Sequence, residues 1–367
     1  MIKQAYSLIG IVLTLFFIGS LMVYNTTSAE ILDKSLDVEL NSAFIKQLVY
    51  AIVGGGFACL IVYIGIERLE QYSSLILIFL CILLIAVFIP GLGMQLNGAR
   101  RWIKILGVSI QPSEFVKIFL PMALAHFHKK HPVRSFQDFL KLLMIAIPPM
   151  FLILLEPDNG TFVILMAMSF VLFFLFGINK KYWMIPCFFV VLVAGGIASR
   201  MPHVAQRIQI YIHPEKDILG KGHQPYQAKI AVGSGGILGR GIGQSLQKLT
   251  YLPEARSDYI AAIYAEEFGF IGVVFLITLY LFFALLGVNI ALTSRDIFSF
   301  YLGICLVVLV SFQVFLNLGV VSGLLPSKGT NLPFFSQGGS SLVANFMIVG
   351  ILVAIAKDNG MKQYEKE

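Results

Sequence analysis

Charge is what this sequence has least of. Only 13% of its 367 residues are Asp, Glu, Lys or Arg, about half the roughly 25% of a soluble domain. Cysteine is scarce too: Cys59, Cys81, Cys187 and Cys305 each lie inside an apolar run and form no C-x-x-C, so no disulfide framework follows and packing is their expected role. There is no Gly-X-Y period and no repeat of 20–50 residues, which excludes a collagen-like chain and a solenoid. A Walker A lysine and a G-x-S-x-G elbow are both missing. The glycine runs at 233–236 and 239–243 do not meet G-x-G-x-x-G spacing, and no strand precedes them. His126, His128 and His131 have no cysteine or H-E-x-x-H partner. What is present is apolar: 57% hydrophobic residues, 31 Phe and a mean hydropathy of +0.84. Disorder is excluded, and the class that remains is an all-α polytopic membrane protein.

Apolar runs near the ~20 residues that cross a bilayer fall at 7–24, 43–66, 73–90, 112–127, 140–156, 160–177, 181–198, 259–291, 297–321 and 340–356. The expectation is therefore ten transmembrane helices. The first run is longer than a signal-peptide core and is read as a retained span. The eighth is long enough to tilt or protrude. Between helices 7 and 8 lies a large loop, about 199–257, in which short amphipathic helices are expected. The whole chain, 1–367, reads as one integral membrane domain.

Lys and Arg in short loops set the orientation. With the N-terminus in the cytoplasm, twelve basic residues fall in inside segments and five in short outside loops. Both termini are thus expected to be cytoplasmic and the 199–257 loop extracytoplasmic. The polar motifs then gather at the outer starts of the even-numbered helices: Gln111-Pro112-Ser113-Glu114 with Lys117, Asp158 to Thr161, Arg256-Ser257-Asp258, and Gly338-Gly339-Ser340-Ser341. Helix N-termini carry free N–H groups and partial positive charge, so they attract anions. Each such residue taken singly is also an ordinary cap. Glu114, Lys117, Glu266 and Glu267 lie within spans, at a cost of about 2.5–3.5 kcal/mol each. Glu114 and Lys117, spaced i,i+3, serve equally as a structural ion pair or as ligand contacts. The residues alone imply an anion-attracting outer pocket and leave enzyme and transporter open.

The stretch Gly241-Ile242-Gly243-Gln244-Ser245-Leu246-Gln247-Lys248-Leu249-Thr250-Tyr251-Leu252-Pro253-Glu254-Ala255-Arg256-Ser257-Asp258 resembles the long-loop signature of the SEDS family (shape, elongation, division and sporulation). Asn97 to Ile103, Pro157-Asp158 with Gly160-Thr161, Gly323 to Gly329 and Leu332 to Ser341 carry the same resemblance along most of the chain. It implies a peptidoglycan glycosyltransferase that polymerises lipid II at the outer face of the bacterial cytoplasmic membrane. The variants Ser-x-Gln-Lys and Leu-Pro-Ser-Lys-Gly are more similar to the division branch than to the elongation branch. The family's catalytic aspartate falls on Asp258. Substrate contacts fall on Arg100, Arg101, Trp102, Glu114, Lys117, Asp158, Arg207, Gln247, Lys248, Glu254, Ser340 and Ser341. Two motifs depart from the family: Arg256-Ser257 stand where His-Thr is usual, and Gln337 where Tyr is usual.

In the implied reaction the 4-hydroxyl of one lipid II sugar attacks C1 of another, and undecaprenyl pyrophosphate leaves with inversion. Asp258 is the general base. Arg100, Arg101, Lys117 and Lys248 are candidates to stabilise the leaving pyrophosphate. No tightly bound cofactor is expected, although a divalent cation, Mg or Mn, can accompany the pyrophosphate. The implied partners are a class B penicillin-binding protein (a transpeptidase) and other divisome proteins, with no nucleic acid. A lipid II flippase is the rival class. It predicts paired polar sites at broken helices near the midplane, whereas the polar motifs here cluster at one end. The same residues also fit an elongation polymerase, or a weakly active scaffold for a partner synthase.

Overall fold

Leu13, Phe17, Leu75, Phe79, Ile82, Phe275 and Phe282 turn their side chains outward, while Glu70, Lys117, Glu266 and Glu267 are buried. That inversion of a soluble protein's distribution is what a hydrocarbon solvent dictates. The computed structural model describes residues 2–34, 42–96, 99–105, 108–188, 211, 217, 220, 222–249, 252, 255–327 and 329–364. In chain order the elements are α1 (Ile2–Lys34), α2 (Ser42–Ile64), α3 (Ile66–Ala86), β1 (Gly93–Leu96), β2 (Ala99–Ile105), β3 (Val108–Ile110), α4 (Pro112–Lys130), α5 (Phe136–Leu155) and α6 (Asn159–Leu175). They continue with α7 (180–188), α8 (His223–Ser234), α9 (Ile260–Leu292), α10 (Ile297–Val321) and α11 (Gly339–Tyr364).

Helices α1, α2, α3, α5, α9, α10 and α11 are long and apolar enough to cross a membrane. The shorter α6 is also apolar. Helix α4 carries Glu114, Lys117 and His126 yet is buried along most of its length, so its neighbours shield those charges from lipid. Each expected run coincides with a helix, the run at 181–198 only as far as residue 188. The chain is a multi-pass helical membrane protein. Helix α1 packs into the bundle through Leu8, Leu15 and Val23.

Two features depart from the expected layout. Between α3 and α4 the chain forms a three-stranded antiparallel sheet in the order β1-β2-β3, where only a basic loop was expected. β1 and β3 have only 4 and 3 residues, and the seven of β2 place Arg100 beside Arg101 and Trp102 beside Ile103, so no strict period-2 alternation marks them. The long run at 259–291 is a broken helix. Gly269 adopts φ 64°, ψ −165° inside α9, a backbone state open to glycine. The chain after α8 docks there: Arg240 N and Gly241 N donate to the carbonyls of Glu266 and Glu267, and Phe270 N donates to Gly236 O. The backbone groups freed by the break are thus met by protein, as apolar surroundings require. Of the expected helices in the long loop, α8 lies within the described residues.

At the end of the bundle where α4 finishes and α10 begins, Lys129 Nζ bridges Glu70 (2.8 Å) and Asp296 (2.9 Å). This clamps α3, α4 and α10 together. The motif-bearing helix starts lie at the other end.

Candidate functional site

Three helix N-termini meet at that other end. Gln111 precedes the first residue of α4, and its backbone N–H donates to Ser340 Oγ in the first turn of α11 (2.9 Å). The Gln111 side chain donates to Asp158 Oδ2 (3.4 Å). Asp158 caps α6, accepting from Thr161 N at 3.1 Å and Thr161 Oγ1 at 2.9 Å. The starts of α4, α6 and α11 therefore aim their partial positive charge at one space. That space is a cavity of about 510 Å³, within the range of ligand sites.

The cavity gathers Asp258, Arg101, Trp102, Glu114, Lys117, Asp158, Ser340 and Ser341 from the sequence-derived set. Lys117 Nζ lies 2.7 Å from Glu114 Oε2, both side chains nearly buried, so the i,i+3 pair exists and also lines the cavity. Arg101 reaches to within 4.0 Å of Asp158 and donates from Nε to the Glu156 carbonyl (3.2 Å). Strand β2 delivers Arg101 and Trp102, so the small sheet forms part of the cavity wall.

Asp258 sits two residues ahead of α9, immediately before its N-cap, Tyr259. Asn317 of α10 donates to the backbone carbonyls of Asp258 (2.8 Å) and Thr330 (2.6 Å). It thereby ties the two loops that flank the cavity. A Cβ on Gly329 would lie 2.9 Å from Asp258 Oδ2, so glycine leaves the room the carboxylate occupies. The two departures from the family motifs are neighbours: Gln337 N donates to Arg256 O (3.0 Å).

Other sequence-derived residues lie elsewhere. Arg100 is exposed on β2 and is not among the residues lining this cavity. Lys248 is buried and donates to Glu267 Oε1 (2.9 Å), Asn25 Oδ1 (2.8 Å) and Gly243 O (2.7 Å). Gln247 donates its backbone N–H to Glu266 (3.3 Å), which also accepts from Ser245 Oγ. These contacts fasten the chain after α8 to α9 and α1, and they answer the charges of Glu266 and Glu267 inside the span. Arg207 and Glu254 lie outside the described residues.

Sequence reading passed over Gln224 on α8, Gln313 on α10, Ser109 on β3, and Thr330 and Asn331 in the loop before α11, all of which line the cavity. Gln313 and Asn317 carried a usable signal: two amides spaced i,i+4, and so on one face, within an apolar run.

Glu156, at the C-cap of α5, is fully buried, and neither carboxylate oxygen has a hydrogen-bond partner among the described residues. Burial first, then the nearby Asp158, pushes its pKa from 4.5 up to about 8, against the pull of Arg101. The folded protein keeps this proton where the unfolded chain loses it. Stability therefore falls as pH rises from about 4.5 to about 8 and then levels off. Glu156→Gln, neutral throughout, is expected to flatten that slope. Melting temperatures of detergent-solubilised protein across the same window check this, and parallel curves for the two proteins would contradict it.

The chain is similar to Stage V sporulation protein E of Bacillus subtilis, 36% identical over 356 residues that span 95% of this chain and 96% of that protein. It is also 36% identical over 360 residues to a probable peptidoglycan glycosyltransferase FtsW of Trichlorobacter lovleyi, covering 95% and 92%. Among solved structures it resembles a chain from a peptidoglycan synthase complex, with a TM-score of 0.79, 25% identity and coverage of 96% and 98%. It shares the fold of the rod shape determining protein RodA of Thermus thermophilus, with a TM-score of 0.71, 23% identity and coverage of 96% and 97%. The sequence pattern of the FtsW/RodA/SpoVE cell cycle proteins matches residues 6–360, and with relatives of this identity along nearly its whole length the chain belongs to that family, the SEDS family.

Proposed function

We propose that this chain is a peptidoglycan glycosyltransferase that polymerises lipid II at the outer face of the cytoplasmic membrane, in the division branch of its family. The observation that carries the reading is the convergence of three helix N-termini, Arg101 and Lys117 on one cavity that also holds the Asp258 carboxylate. The similarity to relatives named for this activity supports it. In the proposed step the acceptor's 4-hydroxyl oxygen bonds to donor C1. The bond from C1 to the pyrophosphate oxygen breaks, and Asp258 takes the hydroxyl proton. Charge gathering on the leaving pyrophosphate is met by Arg101, Lys117 and the helix N–H groups. A cavity at a helix end lets the prenyl tail remain in the bilayer.

Among the described residues the lining holds the carboxylates Glu114, Asp158 and Asp258 and the cations Arg101 and Lys117. A divalent cation arriving with the diphosphate would offset repulsion from those carboxylates. In this reading the cation travels with the substrate's phosphates. Purified chain with a class B penicillin-binding partner is expected to extend lipid II into glycan, to stop on chelation with EDTA and to resume with Mg or Mn. A wild-type complex that moves lipid II between leaflets but makes no polymer would return the flippase reading.

The orientation has its own test. Lys104 is exposed at the cavity end and Arg134 at the opposite end. In intact cells, Lys104→Cys is expected to react with a membrane-impermeant maleimide, and Arg134→Cys only after permeabilisation. The reverse pattern would invert the topology.

A further inference from the structure

Gln313 and Thr330 are 5% and 8% exposed and line the cavity. Among the described residues, Gln313 Oε1 and Thr330 Oγ1 are buried without a hydrogen-bond partner. An unmet polar atom destabilises a fold, so two in one wall are costly unless a ligand completes them. Their placement is specific. Gln313 and Asn317 are i,i+4 on α10 and so share a face. Asn317 holds the Asp258 and Thr330 carbonyls, and Gln313 lies one turn, about 6 Å, deeper.

The chemistry of these atoms selects among ligand groups. An amide oxygen only accepts hydrogen bonds. An ionised diphosphate also only accepts, so it cannot complete Gln313 Oε1. A sugar can, through a hydroxyl or an acetamido N–H. The cavity is thus divided: Arg101, Lys117 and the helix N-termini suit phosphate, while Gln313 Oε1 suits a neutral ligand rich in donors, and the Thr330 hydroxyl, which both donates and accepts, matches a sugar hydroxyl beside it. We propose that Gln313 and Thr330 form the sugar-binding wall of the cavity, hydrogen-bonding the acceptor sugar beneath Asp258 so that its hydroxyl faces the carboxylate. This assignment rests on the glycosyltransferase reading above.

The test uses the full chain in complex with its penicillin-binding partner and three variants: Gln313→Leu, Thr330→Val and Gln313→Asn. Removing an unmet polar atom in favour of an apolar group of similar shape does not lower stability, so the melting temperatures of the first two variants are expected to equal or exceed wild type. Polymerisation is expected to lose roughly tenfold in kcat/KM per lost hydrogen bond, mainly through KM for lipid II. Gln313→Asn keeps the amide but withdraws it by one methylene, and is expected to fall between Leu and wild type. The control is inhibition by undecaprenyl pyrophosphate, which has the phosphates and tail but no sugar. Its inhibition constant is expected to stay unchanged in all three variants.

An unchanged KM for lipid II in well-folded variants would overturn the proposal. So would a parallel rise in the inhibition constant for undecaprenyl pyrophosphate, because the wall would then serve the phosphates. A lower melting temperature with unaltered KM would make both side chains structural and also overturn it. A wild-type complex that polymerises nothing would instead overturn the glycosyltransferase reading, so the two failures are distinguishable.

Discussion

Replacing Asp258 with Asn is expected to abolish nearly all glycan synthesis while leaving the fold intact. The substitution keeps the size and polarity of the side chain and removes only the proton acceptor. Loss of a general base costs about 10²–10⁴ in rate, and among the described residues the neighbouring groups are already engaged or hold their protons. Tyr259, next in sequence, is buried, and burial together with the Asp258 carboxylate raises its phenol pKa further, so it holds its proton at neutral pH. Glu114 is committed to Lys117 at 2.7 Å. Asp158 is engaged by Thr161 as the cap of α6. The fold is expected to survive because Asn317 ties this loop through the Asp258 backbone carbonyl, which the substitution leaves in place. The measurement is lipid II turnover by equally folded wild-type and Asp258→Asn complexes, with melting temperature and partner binding as controls. Comparable polymer from the two would remove Asp258 from the mechanism.

The part of the site legible in sequence is the part that violates the membrane's preferences. Glu114 and Lys117 stand out because charge within a span is costly, and their i,i+3 spacing correctly implied a pair. Ser340, Ser341 and Asp158 stand out as polar residues at the starts of apolar runs. Lys248 marks where that logic stops. Sequence shows a cation near a motif but not which carboxylate answers it. The partners are Glu267, on a different element, and Asn25, from the first helix of the chain. Gln313 and Thr330 drew no notice because a neutral residue raises no charge alarm, although they line the same cavity. The break at Gly269 was hidden for a related reason. A glycine inside an apolar run reads as a packing residue, and only the docking of the Gly236–Gly241 backbone shows that the helix is interrupted there.

Lys117→Ala is the substitution expected to damage both stability and activity most, and separating the two effects decides what the pair does. Lys117 is 4% exposed and Glu114 9%, so truncating the lysine leaves a carboxylate almost without solvent. Breaking a buried pair from one side typically costs about 3–5 kcal/mol, most of it the penalty of the stranded charge. The single variant is therefore expected to accumulate poorly and melt early, whatever its catalytic role. The double variant Lys117→Met, Glu114→Gln removes both charges and keeps the volume. Replacement of a buried pair by neutral groups of similar size is often neutral or stabilising, so its melting temperature is expected to return to near wild type. If Lys117 also stabilises the leaving pyrophosphate, activity will not return with stability. Loss of one preorganised donor to a developing anion costs roughly 10²–10³ in kcat. A double variant that is stable and slow by that factor assigns the lysine to the reaction. One that is stable and fully active makes the pair a device for holding α4, and it would shift the stabilisation of the leaving group to Arg101 and the converging helix N-termini.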